Sequence, residues 1–320
     1  MISQLDFNIV QIDTGLMGPN IVACYLIEGK DNDNNAEYAI IETGNYETTD
    51  RLINYFKQQN IPKESIRYVI PTHVHLDHAG GASSLMEALP DATLVMHPKG
   101  ARHMIDPSKL IAGATVVYGE AFFKKMYGDI KPVAEHRVII AEDNTTLMLG
   151  NRELLFRDTP GHANHHFCIW DETSRGWFTG DTFGLAYPSL DSEQGHFLFP
   201  TSSPVQFDPK QLISSIELMM DKEPKYMYLT HFGRIVVEQK HRSDLIQHIN
   251  DYVNIIESLP EDKRTAEHIE TLLTDYTIKA LAKHGCKLIQ EDIDKAIRLD
   301  IKLNSQGLVI WYERANKPRS

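Results

Sequence analysis

The sequence predicts a mixed α/β (α+β) fold: two β-sheets wrapped by helices, then a helical tail. Three observations carry this. Strand-like runs, turns and amphipathic stretches succeed one another from Met1 to about Ser243, a pattern that suits sheets with helices on their outer faces. His and Asp residues recur directly after apolar strand-like runs, where a turn would hold them at a strand end. Finally, 320 residues with 42% hydrophobic and 24% charged content suit one large globular domain, or a core with an appendage.

The elements follow in order. Phe7 to Asp13 alternates like a strand, and Asn20 to Glu28 and Glu37 to Glu42 read as two more. Between them, Gly29 to Asn35 is rich in Asp and Asn and predicts a hairpin turn. Thr49-Asp50 is expected to cap a helix whose apolar face is Leu52, Ile53 and Phe56. Tyr68-Val69-Ile70 is a strand, followed by a polar loop and a helix opened by His78. An insertion from about Gly100 to Glu135 places Tyr118, Phe122, Phe123, Met126 and Tyr127 at near-helical spacing. It predicts a helical hairpin that packs its own aromatics and lies as a lid, with aromatics such as Tyr118 forming an apolar wall. From Asp244 to Ser320 the chain reads as helical, with one stripe formed by Leu245, Ile246, Ile249, Tyr252, Val253 and Ile256. Further helices are expected near Ala266 to His284 and Glu291 to Leu303, and Gly307 to Tyr312 leans to helix over strand. This tail is expected to close a pocket or to make a homodimer contact.

The chemistry is concentrated in Thr72-His73-Val74-His75-Leu76-Asp77-His78. Imidazoles and a carboxylate on one loop suit zinc, iron or manganese. Four ligands on so tight a loop cannot all point at one ion, so two adjacent ions are expected. His73 and His75 would face one, Asp77 and His78 the other. Three later pieces repeat the layout of an apolar strand, then a ligand beside Gly or Pro: Thr159-Pro160-Gly161-His162, Thr179-Gly180-Asp181-Thr182 and Thr230-His231-Phe232-Gly233. His162 would complete the first ion's set and His231 the second. Asp181 would bridge, since a carboxylate has two oxygens to share.

This series resembles the metal signature of the metallo-β-lactamase-fold superfamily: HxHxDH, a lone His, GD and a terminal His. The likeness runs through roughly the first three-quarters of the chain. Within the superfamily the chain is most similar to the glyoxalase II-like hydrolases. His97 to Lys109 and Pro160-Gly161-His162-Ala163-Asn164-His165-His166 resemble a bacterial and archaeal subgroup of them. The resemblance implies a four-layer αββα sandwich with the metals at one edge, here carrying a helical lid insertion and a helical C-terminal extension. It implies two divalent ions, zinc foremost with iron or manganese as alternatives. The implied reaction is attack on a carbonyl by a hydroxide shared between the ions, with Asp77 also orienting the nucleophile and passing a proton to the leaving group. His166 matches a second His that these proteins carry behind their metal ligands. His165 stands where they usually have Gly, so a substrate contact and a packing role are both open. His196 is a candidate for the pocket mouth, and His97, His103 and His136 for surface or hydrogen-bonding roles. His241, His248, His268 and His284 are expected to face solvent.

A thioesterase and a lactonase are the leading branches. The basic, asparagine-containing motif with which glyoxalase II grips glutathione is missing. Lactonases of the superfamily carry a Tyr three residues after the bridging Asp, where this chain has Gly184, and Tyr187 nearby is the substitute. The same ligands also serve phosphodiesterases and iron-dependent oxidoreductases. A net charge of −12 disfavours nucleic acid and leaves a small molecule as the expected substrate. Cys24, Cys168 and Cys286 lack paired spacing, so no disulfide framework is expected, and Cys168 reads as a core thiol. The opening residues show no basic region or long apolar run, which predicts a cytoplasmic protein without a membrane anchor.

Overall fold

A computed structural model describes residues 1–202 and 205–317, without the side chains at 117 and 118. The expectation for the Tyr118 side chain therefore lies outside the described residues. In chain order the first elements are β1 (Ile2–Leu5), β2 (Ile9–Asp13), β3 (Ala23–Lys30), β4 (Ala36–Ile41), α1 (Tyr46–Gln59), β5 (Ile66–Ile70), α2 (Leu76–Ala79) and α3 (Ala82–Ala88). Then come β6 (Thr93–Met96), α4 (Pro98–Ile105), α5 (Ser108–Tyr118), α6 (Glu120–Tyr127), β7 (Val138–Ile140), β8 (Thr146–Leu149), β9 (Arg152–Asp158), β10 (Phe167–Asp171) and β11 (Gly176–Gly180). The remainder is α7 (Pro209–Met220), β12 (Tyr226–Leu229), β13 (Gly233–Val236), α8 (Gln239–Glu257), α9 (Ala266–His284) and α10 (Gln290–Ala315).

Among the described residues the strands form a seven-stranded sheet, in order from β1 to β7, and a six-stranded sheet in the order β13-β12-β11-β10-β9-β8. Antiparallel pairing joins β1 to β4, and parallel pairing carries on through β5, β6 and β7. With the helices, this is consistent with the expected αββα sandwich and its helical C-terminal extension. The chain divides into two compact units: Met1–Asp158 with His165–Gly180 and Lys225–Arg234, and Thr159–Asn164 with Asp181–Pro224 and Ile235–Ser320.

In the first unit the period-2 alternation of strands sorts side chains onto two faces. Cys24, Leu26 and Ile40 join Leu52 and Phe56 of α1, Leu85 of α3 and Met104 of α4 in an outer core. Tyr25, Ile27 and Ile41 point the other way and meet Leu154, Phe156, Ile169 and Phe178 of the second sheet. Burying one such Leu, Ile or Phe contributes about 1.5–3 kcal/mol. Cys168 is a buried core thiol donating to the Thr179 carbonyl at 3.3 Å.

Several expected boundaries need correction. The helix after β4 starts at Tyr46, not beyond Thr49. Asn45 caps it, its backbone N–H donating to the Thr48 hydroxyl at 3.2 Å, and Thr49 is buried inside the helix. His78 does not open a helix; it sits inside the one-turn α2, and the longer α3 starts only after Gly80-Gly81. β1 adds a strand that the alternation starting at Phe7 did not reveal. The insertion is helical, broken at Gly119 between α5 and α6. Its Phe123 and Tyr127 pack with Ile130 around Leu76, which lies between His75 and Asp77.

In the second unit α9 and α10 form the expected helices, and α10 runs through Gly307 to Tyr312 without a break. Asn304 is buried on α10. Its side-chain oxygen accepts from the Ser202 N–H at 2.6 Å and its amide donates to the Pro200 carbonyl at 3.0 Å. His241 is also buried, not solvent-facing. It belongs to the cap of α8, where its Nδ1 accepts from the Glu238 N–H at 3.2 Å. No helix among the described residues is long and apolar enough to cross a membrane.

Candidate metal centre

The loop after β5 presents its polar side chains at the carboxyl end of a parallel strand. Asp77, His78 and His231 bring ligand atoms that all lie within 4.8 Å of one another. His231 Nε2 is 3.2 Å from Asp77 Oδ2, and His78 Nε2 is 3.5 Å from the same oxygen. The far nitrogen of each imidazole is tied down. His231 Nδ1 donates to the Ile21 carbonyl at 2.9 Å, and His78 Nδ1 donates to Glu42 Oε1 at 2.9 Å. Such bonds fix the ring's tautomer and aim Nε2 at the site, the usual support behind metal-binding histidines. Nitrogen and carboxylate donors in this mixture fit a divalent ion of the zinc, iron or manganese kind.

His73 belongs to the same cluster. It is fully buried, its Nε2 lies 2.8 Å from His75 Nδ1, and its ring is 4.0 Å from that of His78. His166 is fully buried as well, its ring 4.8 Å from His73. Gly180 makes room for it. The residue has φ +47°, and a Cβ there would lie 2.4 Å from His166 Nε2 and 2.5 Å from Thr72 Oγ1. His165, 8% exposed, sits beside His73 and His75. Burial, then the neighbouring imidazoles, push it down to about 2, so the ring is neutral at ordinary pH.

The second unit carries His162 and Asp181, both buried, with His162 Nε2 3.4 Å from Asp181 Oδ2. The His162 turn is pinned from below. A Cβ on Gly161 (φ +128°) would lie 2.2 Å from the Leu212 nitrogen, and the Gly161 carbonyl accepts from the Asp208 N–H at 2.8 Å. The Thr201 hydroxyl lies 3.4 Å from His162 Nδ1. Tyr187 is buried with its ring against Phe199, centroids 5.8 Å apart. His196 is half-buried and pairs with Asp191: its Nδ1 is 2.9 Å from Asp191 Oδ2, a contact that raises its pKa.

Glu42 is the residue that sequence reasoning missed. It reads as the polar end of a strand. In the structure it is 1% exposed, adopts φ +65°, and collects four donors. These are the Thr72 hydroxyl at 2.6 Å, the Thr72 N–H at 3.1 Å, the Thr230 hydroxyl at 2.9 Å and His78 Nδ1. One carboxylate therefore ties the ends of β4, β5 and β12 together behind the loop from His73 to His78. The only sequence signal is a charge closing an apolar run just before Thr43-Gly44. His97, expected in a surface or hydrogen-bonding role, is buried, not at the surface, and donates from Nε2 to Asp158 Oδ1 at 3.0 Å.

Residues 17–231 match the family model described as the metallo-beta-lactamase superfamily. The chain is 25% identical over 199 residues to the metallo-beta-lactamase fold-containing protein ST1585 of Sulfurisphaera tokodaii, covering 60% of this chain and 71% of that one. It is 24% identical over 192 residues to the N-acyl homoserine lactonase AiiA of Bacillus thuringiensis subsp. kurstaki, covering 60% of this chain and 64% of that one. Among solved structures, the metallo-beta-lactamase family protein TTHA1429 from Thermus thermophilus superposes with a TM-score of 0.65 at 16% identity, over 96% of this chain and 93% of that one. The family match spans the loop from His73 to His78, His162, Asp181 and His231, and this chain belongs to the metallo-beta-lactamase superfamily.

Proposed function

We propose that the chain is a dinuclear metallohydrolase of the glyoxalase II-like kind that cleaves the carbonyl of a small-molecule thioester, lactone or ester. The observation that carries this reading is the convergence of Asp77, His78 and His231 within 4.8 Å, with both imidazoles anchored from behind. In this reading, which follows the sequence signature, His73, His75 and His162 would hold one divalent ion and Asp77, His78 and His231 the second, with Asp181 as a shared ligand. Bound there, the ions would supply a nucleophilic hydroxide near neutral pH and polarise the carbonyl oxygen. The chain's own contribution is positional. Glu42 and the Ile21 carbonyl orient their imidazoles. Asp77, whose Oδ2 faces His78 and His231, is assigned to orient the nucleophile and to move a proton to the leaving group. His73, His78 and His162 are buried, which keeps bulk water from these three rings.

A thioester is the first choice of substrate class. The similarity to an N-acyl homoserine lactonase supports the lactone branch, but the position where such enzymes carry a tyrosine is Gly184. A Cβ there would lie 2.6 Å from the Phe199 carbonyl oxygen, so the backbone leaves no place for that side chain. A net charge of −12 favours a small molecule over a polyanion. The test is elemental analysis of the purified protein together with hydrolysis of a panel of thioesters, lactones and phosphodiesters. Two divalent ions per chain with thioester or lactone turnover is the expected result. Bound iron, oxygen consumption and no hydrolysis would overturn the reading.

A further inference from the structure

One imidazole beside the metal loop has no task in this scheme. His165 lies on the turn leading into β10, with 8% of its surface exposed. Its ring is parallel to that of His73, at 6.0 Å and 15°, and edge-on to that of His75, at 5.5 Å and 88°. Its other side meets α4. A Cβ on Gly100 would lie 3.7 Å from the His165 Cβ, and the His103 ring stands 6.4 Å away at 69°. The Nδ1 atom is buried and, among the described residues, has no hydrogen-bond partner.

That is costly. A buried polar atom left unsatisfied gives up its hydration with nothing in return, and native folds rarely leave one without a reason. Nearby His97 shows the ordinary solution, with Asp158 on one nitrogen and the Lys99 N–H on the other. His165 instead has aromatic faces and edges around it. Its position is also one-sided. It contacts His73 and His75, whereas Asp77, the group assigned to the leaving group, is grouped with His78 and His231. A substrate spanning the site would bring its leaving group towards Asp77 and its acyl portion towards His165.

Resting on the hydrolase reading above, we propose that His165 is a specificity residue. Its Nδ1 hydrogen-bonds an oxygen substituent on the acyl chain, close to the carbonyl. The preferred substrates would then be hydroxy- or oxo-substituted acyl thioesters, not plain fatty acyl ones.

Two thioester probes separate the possibilities: S-(3-hydroxybutanoyl)-N-acetylcysteamine and its unsubstituted S-butanoyl analogue. The wild-type protein should favour the hydroxylated probe about tenfold in kcat/KM, the scale of one hydrogen bond. In His165→Ala that ratio should collapse to below about twofold. In His165→Asn, whose amide lies near the position of Nδ1, part of it should return. Metal content should be the same in all three proteins. A ratio that persists in His165→Ala, or loss of metal from both variants, would overturn the assignment. A second readout is independent of turnover. In the metal-loaded protein, the 15N resonances of the His165 ring should shift with 3-hydroxybutyrate and not with butyrate. An equal response to both, or none, counts against the proposal. Failure of the hydrolase reading looks different: the wild-type protein, with its metals bound, would turn over neither probe.

Discussion

At the scale of single residues, the ligand candidates were legible because spacing alone betrays them. A loop with His at 73, 75 and 78 and Asp at 77 has few other uses. What stands behind these candidate side chains was not legible. Glu42 precedes Thr72 by 30 positions and Thr230 by 188, and nothing local ties a strand-terminal Glu to either. Its role is visible only once three strand ends meet. That role has a measurable consequence. Glu42→Gln keeps the shape and removes the charge that holds His78 Nδ1–H. Losing a partner of this kind typically weakens metal binding by about 10–100-fold. Competition with a chromophoric chelator should show that loss for the site involving His78, with the circular dichroism spectrum unchanged. An affinity equal to wild type would mean Glu42 serves only to join the strands.

At the scale of elements, strands and tail helices were readable from periodicity, while their ends were decided by contacts that periodicity does not carry. α8 illustrates this. Its apolar stripe was evident, but its cap uses His241, a residue type usually left to solvent. Because Nδ1 accepts the Glu238 N–H, the ring must be neutral, and burial lowers its pKa below the ordinary 6.5. Glu238 and Asp244 pull the other way, and Lys240 and His196 add to the lowering. With a folded pKa below the unfolded one, the cap's contribution is complete above pH 6.5 and is lost as pH falls through the folded value. Thermal melts between pH 7.5 and 5.5 should therefore fall more steeply for wild type than for His241→Gln. Parallel curves would show that the cap is not titrating. α10 gives a second case. Asn304 satisfies the backbone on both sides of Thr201, the residue beside His162. Asn304→Ala leaves buried backbone groups unpaired and should cost about 1–3 kcal/mol in urea unfolding. A smaller loss would mean that water replaces the amide.

At the scale of the whole molecule, two sheets and their helices could be expected because strand-like and helical periods alternate along the chain. The link between the sheets could not. Arg152 on β9 makes paired contacts with Asp171, at 2.9 and 2.5 Å, and donates to the carbonyls of Phe7 and Glu28 in the first sheet's chain segments. Both side chains are buried, and neither stands out among the 44 acidic and 32 basic residues of the sequence. The proposed ligands are just as dispersed, running from His73 to His231. Unfolding would scatter them, so an ion held by the folded chain and not by the unfolded one must stabilise the fold by mass action. At a free ion concentration one hundred times Kd this amounts to about 2.7 kcal/mol. At about 1.5 °C per kcal/mol for a chain of 320 residues, chelation should lower the melting temperature by about 4 °C. Re-adding zinc should restore it, and magnesium should not, because imidazole donors suit the former and carboxylate and water the latter. Glu42→Gln should need more zinc for the same recovery. Identical melts with and without chelator would mean that these side chains converge for some purpose other than holding a metal.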